Sequence, residues 1–184
     1  MKILSNEDAD LYYYLWFTVL DYVNKRFGIN KKLKKMVNAK ELDPEDVYEV
    51  ADYLWEHVDV IDDFLNDKAS KQLSEEERDI VVGWKKRVRG DFIMERHLKS
   101  GTIFIHMETE KVYQLSGIRS SYEEIYWSLS LPTLMKMTII PFKNVIIFDS
   151  IAMAYPIVIG SNMKRSFKDT YMNAKKNGEI IRSL

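Results

Sequence analysis

The stretch Leu131–Asp149, LPTLMKMTIIPFKNVIIFD, decides how the chain is read. It consists of two runs of β-branched and apolar residues joined at a short Pro141-Phe142-Lys143-Asn144 corner, the signature of paired strands. Apolar density is highest here and the plainest turn lies inside the stretch, which places it at the centre of a small β-core.

Toward the C-terminus, Pro156-Ile157-Val158-Ile159 reads as a short further strand. An amphipathic helix follows from about Asn162, with Met163, Phe167, Tyr171 and Ala174 facing inward and Asn177-Gly178 as its stop. Toward the N-terminus, residues 91–98, 103–108 and 111–117 read as a three-stranded meander with turns at Lys99-Ser100-Gly101 and Thr109-Glu110. Ile103, Ile105 and Met107 alternate with Phe104, His106 and Glu108, the pattern of a sheet with one wetter face. Ser121 and Glu124 box a short helix.

Before Arg89-Gly90 the period is helical. After a cap at Ser5 and Asp8, Leu11, Tyr12, Leu15, Trp16, Val19 and Val23 recur on one face, and Gly28 is the stop. A basic run, Lys31-Lys32-Leu33-Lys34-Lys35, reads as a short helix or a solvated turn. Asp43-Pro44-Glu45-Asp46 then opens a second helix that carries Val47, Val50, Ala51, Leu54, Val58, Ile61 and Leu65 on one face. Ser74-Glu75-Glu76-Glu77 caps a third, which buries Ile80, Val81 and Trp84. The expected class is α+β: a helical region 1–88, then a β-rich region 89–184 of about six strands, strongly curled or closed into an antiparallel barrel and covered by the last helix.

The order of elements from Phe92 onward resembles a bacterial protein family with no assigned activity. Pro141-Phe142-Lys143, Ile146-Ile147-Phe148-Asp149 and the basic helix and tail from Tyr171 to Leu184 carry the resemblance. Some similar chains continue into a cysteine-rich, zinc-binding SEC-C segment. This sequence holds no cysteine, so the resemblance implies a fold and no metal.

Composition narrows the functional classes. At 184 residues with 46% hydrophobic content, the chain can bury a sufficient core without a disulfide or metal. The absence of cysteine excludes disulfides, thiolate zinc sites and a cysteine nucleophile. Met1 leads into the polar run Ser5-Asn6-Glu7-Asp8, not a signal segment. No apolar run reaches the ~20 residues of a membrane span; the best, 145–159, contains Asp149 and Pro156. A cytoplasmic protein with no membrane partner and no cofactor is the expectation.

Charge is unevenly spread. Residues 1–40 carry a net +4, residues 41–79 a net −12 and residues 80–184 a net +7. One reading is complementarity within the chain together with solvated helix faces. The other is a basic surface free for an acidic protein, a nucleic acid or another polyanion. Two clusters suit the second reading: Lys85, Lys86, Arg87 and Arg89, and Lys164, Arg165 and Lys168 at the start of the last helix. Cations there oppose the helix dipole, which favours an anionic partner.

No nucleophile elbow, phosphate loop, dinucleotide fingerprint or zinc-helix motif occurs, so an enzyme would have to assemble its residues from scattered positions. His57-Val58-Asp59 has the wrong spacing for helix-borne ligands. His97 and His106, with Glu95 or Glu108, form either a cross-strand polar pair or a metal site. Glu56, Asp59, Asp62 and Asp63 read as a solvated acidic face. Lys143 and Asp149 are either a structural ion pair or site residues at a strand end. The reading reached from sequence is a binding or interaction module that uses a basic C-terminal surface.

Overall fold

The computed structural model describes residues 2–33, 35–37 and 42–184; Lys34 of the basic run lies outside them. Two compact units result: a helical unit of residues 7–85 and a barrel unit of residues 86–184 joined by residues 2–6. The chain is α+β, as expected.

In the helical unit, α1 (Asn6–Phe27) buries Tyr12, Leu15, Trp16, Val19 and Val23, the stripe that its spacing dictates. The second helix is interrupted. α2 (Pro44–Glu56), capped by the Asp43 carboxylate on the Glu45 amide, ends at His57, and α3 (Val60–Asn66) starts three residues on. α4 (Glu75–Gly83) has the anticipated capping box between Ser74 and Glu77 and passes into a short 3-10 turn, Trp84–Lys86. Three buried tryptophans meet at the centre: Trp16 stacks on Trp55 at 5.4 Å and meets Trp84 edge-on at 5.8 Å. Such geometries add to what burial alone contributes.

The barrel unit has five strands, not six: β1 (Val88–Leu98), β2 (Gly101–His106), β3 (Val112–Leu115), β4 (Thr133–Phe142) and β5 (Val145–Ala154). Pro156–Ile159 is irregular, and of its four residues Ile159 is the buried one. The strands close in the order β1-β2-β3-β5-β4, with β1 paired to β4. Every pairing is antiparallel except β3 with β5, so the sheet is mixed. A short helix, α5 (Tyr122–Ile125), lies between β3 and β4, with its capping box at Ser121 and Glu124. The five strands thus close into a small barrel, with a helix between the third and the fourth.

The Leu131–Asp149 stretch is the hairpin β4–β5. Pro141 and Phe142 belong to β4, opposite Ile146 and Val145, and the turn is confined to Lys143-Asn144, with Lys143 at φ 50. Inside the barrel, Phe104 packs edge-on against Tyr122, which contacts Phe148, and Phe92 packs on Tyr113.

The expected wet face of β2 does not exist. All six residues of the strand are buried. Ile93, Ile103, Ile105 and Val112, which alternate with the barrel-facing residues, form a second core with Ile159, Tyr171, Ala174 and Ile180. The last helix, α6 (Ser161–Asn177), and the segment after it therefore cover the outer face of β1, β2 and β3. That segment returns along β3, where the Ile181 amide donates to the Val112 carbonyl and the Gln114 amide to the Ile181 carbonyl, each at 2.9 Å. The Arg96 guanidinium sits 4.3 Å over the Tyr171 ring and adds a cation–π contact between β1 and α6.

Candidate functional site

Amphipathicity decides what α6 offers. One stripe, Phe167, Tyr171 and Ala174, is turned to the barrel, so the residues between are turned away from it. Lys164, Arg165, Lys168, Lys175 and Lys176 are all exposed. At 3.6 residues per turn they occupy an arc of about 120° and a length of roughly 18 Å. Asp169 is the one acid of the helix. No ion pair with a described residue engages Lys164, Arg165 or Lys168. Gly160 caps the helix without a side-chain hydrogen bond, and no acid occupies the first turn, so Lys164 and Arg165 add to the positive end of the dipole.

The residues of the other predicted cluster are mostly engaged. Lys85 belongs to the helical unit and is ion-paired with Asp62. Lys86, in the barrel unit, is exposed; Arg87 and Arg89 are half-buried and already engaged. The acidic face of the helical unit is likewise drawn on: Asp63 pairs with Arg26 at 3.3 Å and Asp46 with Lys32 at 3.3 Å.

Lys143 and Asp149 do not meet. The ladder sets Phe142 opposite Val145 and Ile139 opposite Phe148, so roughly 13 Å of β5 separates the turn from Asp149. Lys143 is exposed at the turn, its ammonium 6.0 Å from the Phe142 ring centre. Asp149 is 2% exposed, and its Oδ1 accepts from the Ile151 amide at 3.0 Å across Ser150, which has φ 72. The carboxylate thus stands at the irregularity where the β4–β5 register shifts between Met137 and Ile139. Its charge is felt nearby: burial and then Asp149 push the Tyr126 phenol up to about 12, and burial pushes the Tyr122 phenol well above its ordinary value.

The histidines are also apart. Register places Thr102 opposite His97 and Phe92 opposite His106, five positions away along β1, so the two rings cannot share an ion. His97 contacts the Thr102 hydroxyl at 3.0 Å through Nδ1, and burial lowers its pKa. Among the described residues no group of three or more His, Asp or Glu side chains is placed to hold a metal.

Some features escape sequence reading. Trp127 is 82% exposed, although the spacing of the other tryptophans marks them as core. In the helical unit, Lys25, Lys31 and Lys35 lie at a concavity of about 1090 Å³ beside the C-terminal half of α1. Its wall is set by buried polar contacts: Asp21 accepts from the Met36 and Val37 amides, and the Asn24 side chain bonds the backbone of Asn30 and Leu33. No helix among the described residues is long and apolar enough to cross a membrane. No family model, curated protein or solved structure matches the chain.

Proposed function

We propose that the protein is a binding module that meets an acidic or polyanionic partner through the outward face of α6. The observation that carries this reading is the arc of five exposed cations, against a single acid, on a helix whose other face is committed to the core. A helix that only covered a sheet would need no such excess, because surface cations contribute little to stability. The barrel supports a binding role by fold-level analogy alone. OB-type barrels take oligonucleotides across strands 2 and 3 and the flanking loops. Here the outer face of those strands lies under α6, so the helix would present the charge in place of the sheet. No aromatic side chain lies among the cations of α6, which favours contact with phosphates or carboxylates over stacking with bases.

The test is a salt titration of binding to single-stranded DNA, duplex DNA and polyglutamate, for the native chain and for the combined variant Lys164→Gln, Arg165→Gln, Lys168→Gln. For nucleic acid, log K falls with log salt by about 0.7–0.9 per phosphate contact, so the variant loses roughly 2–3 from the slope. The reading fails if none of the three polyanions binds at ~50 mM salt, or if the variant keeps the native slope.

A further inference from the structure

We propose that the barrel unit docks on the surface of an anionic lipid bilayer, with Ile157 and Val158 as its apolar contact and Lys164 and Arg165 as its charged one. The inference shares those two cations with the reading above. Its partner comes from a different observation, the two exposed aliphatic side chains that precede α6.

The chain is held on both sides of them. Before them, the Tyr155 amide donates to the Leu134 carbonyl at 2.9 Å and the Tyr155 hydroxyl to Asp91 Oδ1 at 2.8 Å. After them, Ile159 is 6% exposed in the core that α6 forms with the sheet. The Ile157 amide donates to the Tyr155 carbonyl at 2.8 Å, which folds a tight turn between these anchors. Ile157 is nevertheless 55% exposed and Val158 96%. Tight turns ordinarily carry Gly, Asn, Asp or Ser, which suit both water and the backbone. Here two β-branched apolar residues stand instead, and they join neither a ladder nor the core cluster beside them. Their exposure is relieved by an apolar medium outside the molecule.

The cations lie at the same end of α6. The Lys164 amide donates to the Gly160 carbonyl at 3.0 Å, so the helical turn begins two residues after Val158, about 7 Å of chain at most. Lys164 and Arg165 follow within about 6–8 Å along the axis. Every Cα–Cβ bond of a helix leans toward its start, so both long side chains reach back toward the tip. Met163 beside them is 50% exposed, although the helical period puts it on the stripe of Phe167 and Ala174; the covered part of that stripe ends before it.

An aliphatic tip flanked by cations matches a bilayer best. Isoleucine and valine have no ring face on which a base can stack, so nucleic acid gives the tip nothing. An acidic protein would need a pocket cut to the tip. An acyl layer admits any apolar side chain, and its anionic head groups meet the lysine and arginine at the surface. The contact is with one leaflet and calls for no membrane-crossing helix.

The test is cosedimentation of the full chain with vesicles of phosphatidylcholine alone or with ~30% phosphatidylglycerol, at ~50 and ~500 mM salt. Binding is expected on the anionic vesicles at low salt and is weaker on the neutral ones, each cation contributing roughly fivefold. Lys164→Gln with Arg165→Gln therefore weakens it roughly 30-fold. Ile157→Ser with Val158→Ser weakens it at least about tenfold, the scale of two partly inserted side chains. Both positions are exposed, and far-UV circular dichroism checks that the variants fold. Because the chain has no cysteine, Val158→Cys takes a single environment-sensitive dye. Its emission moves to the blue on anionic vesicles and stays in place with single-stranded DNA. No sedimentation with anionic vesicles at ~1 mM lipid and ~50 mM salt overturns the proposal. So does a serine variant that binds them as well as the native chain, an unmoved dye, or self-association that the serine variant abolishes, since a second copy then covers the tip. The polyanion reading is scored apart from this one. Vesicle binding without polyanion binding refutes that reading alone, and polyanion binding without vesicle binding refutes this proposal alone.

Discussion

Burial on both faces of β2 makes a quantitative demand. Ile103 and Ile105 are 0% and 2% exposed and lie beneath α6, whereas Phe104 between them faces the barrel interior. Truncating either isoleucine to alanine removes three carbons from a filled space. At ~0.8 kcal/mol per carbon the transfer loss is roughly 2.5 kcal/mol, and the cavity left under a helix that can follow only partly brings it toward 3–4 kcal/mol. Phe104→Ala costs about the same, 3–5 kcal/mol. If the outer face of β2 were solvated, Ile103→Ala and Ile105→Ala would fall within about 0.5 kcal/mol of the native chain. Urea unfolding followed by far-UV circular dichroism gives the change in stability. Amide exchange of β4 residues, read alongside, assigns it to the barrel unit and not to residues 7–85. A loss below ~1 kcal/mol for both isoleucine variants refutes the covering of the sheet by α6.

Two further expectations follow from local chemistry. Gly178 ends α6 in the left-handed region at φ 73, with nothing within 4 Å of an added Cβ. Gly178→Ala should therefore cost about 1 kcal/mol through backbone conformation alone, measurable by the same urea transition and refuted by a neutral result. Tyr126 has a raised phenol, so the folded state prefers the protonated form; its stabilisation is complete below pH 10 and is lost as pH rises through about 12. Tyrosine ring ¹³C shifts followed against pH should show this late transition, and Asp149→Asn should move it downward; a Tyr126 midpoint near 10 contradicts the burial described.

Much of the architecture is written locally. The cap at Asp43, the boxes at Ser74 and Ser121, the stripe of α1 and the β4–β5 hairpin all follow from residues close in sequence, and each forms where spacing places it. Such features depend on 3.6- and 2-residue periods and on side chains that reach their own backbone. The break at His57 is less legible, because Val47 to Leu65 keep one apolar period across it.

Other features depend on partners far along the chain. The alternation of β2 records which residues share a face; it does not say whether water or α6 meets the outer one, since Ile103 and Ile105 are apolar in either case. Ile157 and Val158 have strand composition yet join no ladder, because β-propensity describes fit to a half-buried sheet and not an intrinsic backbone preference. The cations of α6 are visible in sequence; that they remain unpaired while Lys85 is held by Asp62 is decided only by folding.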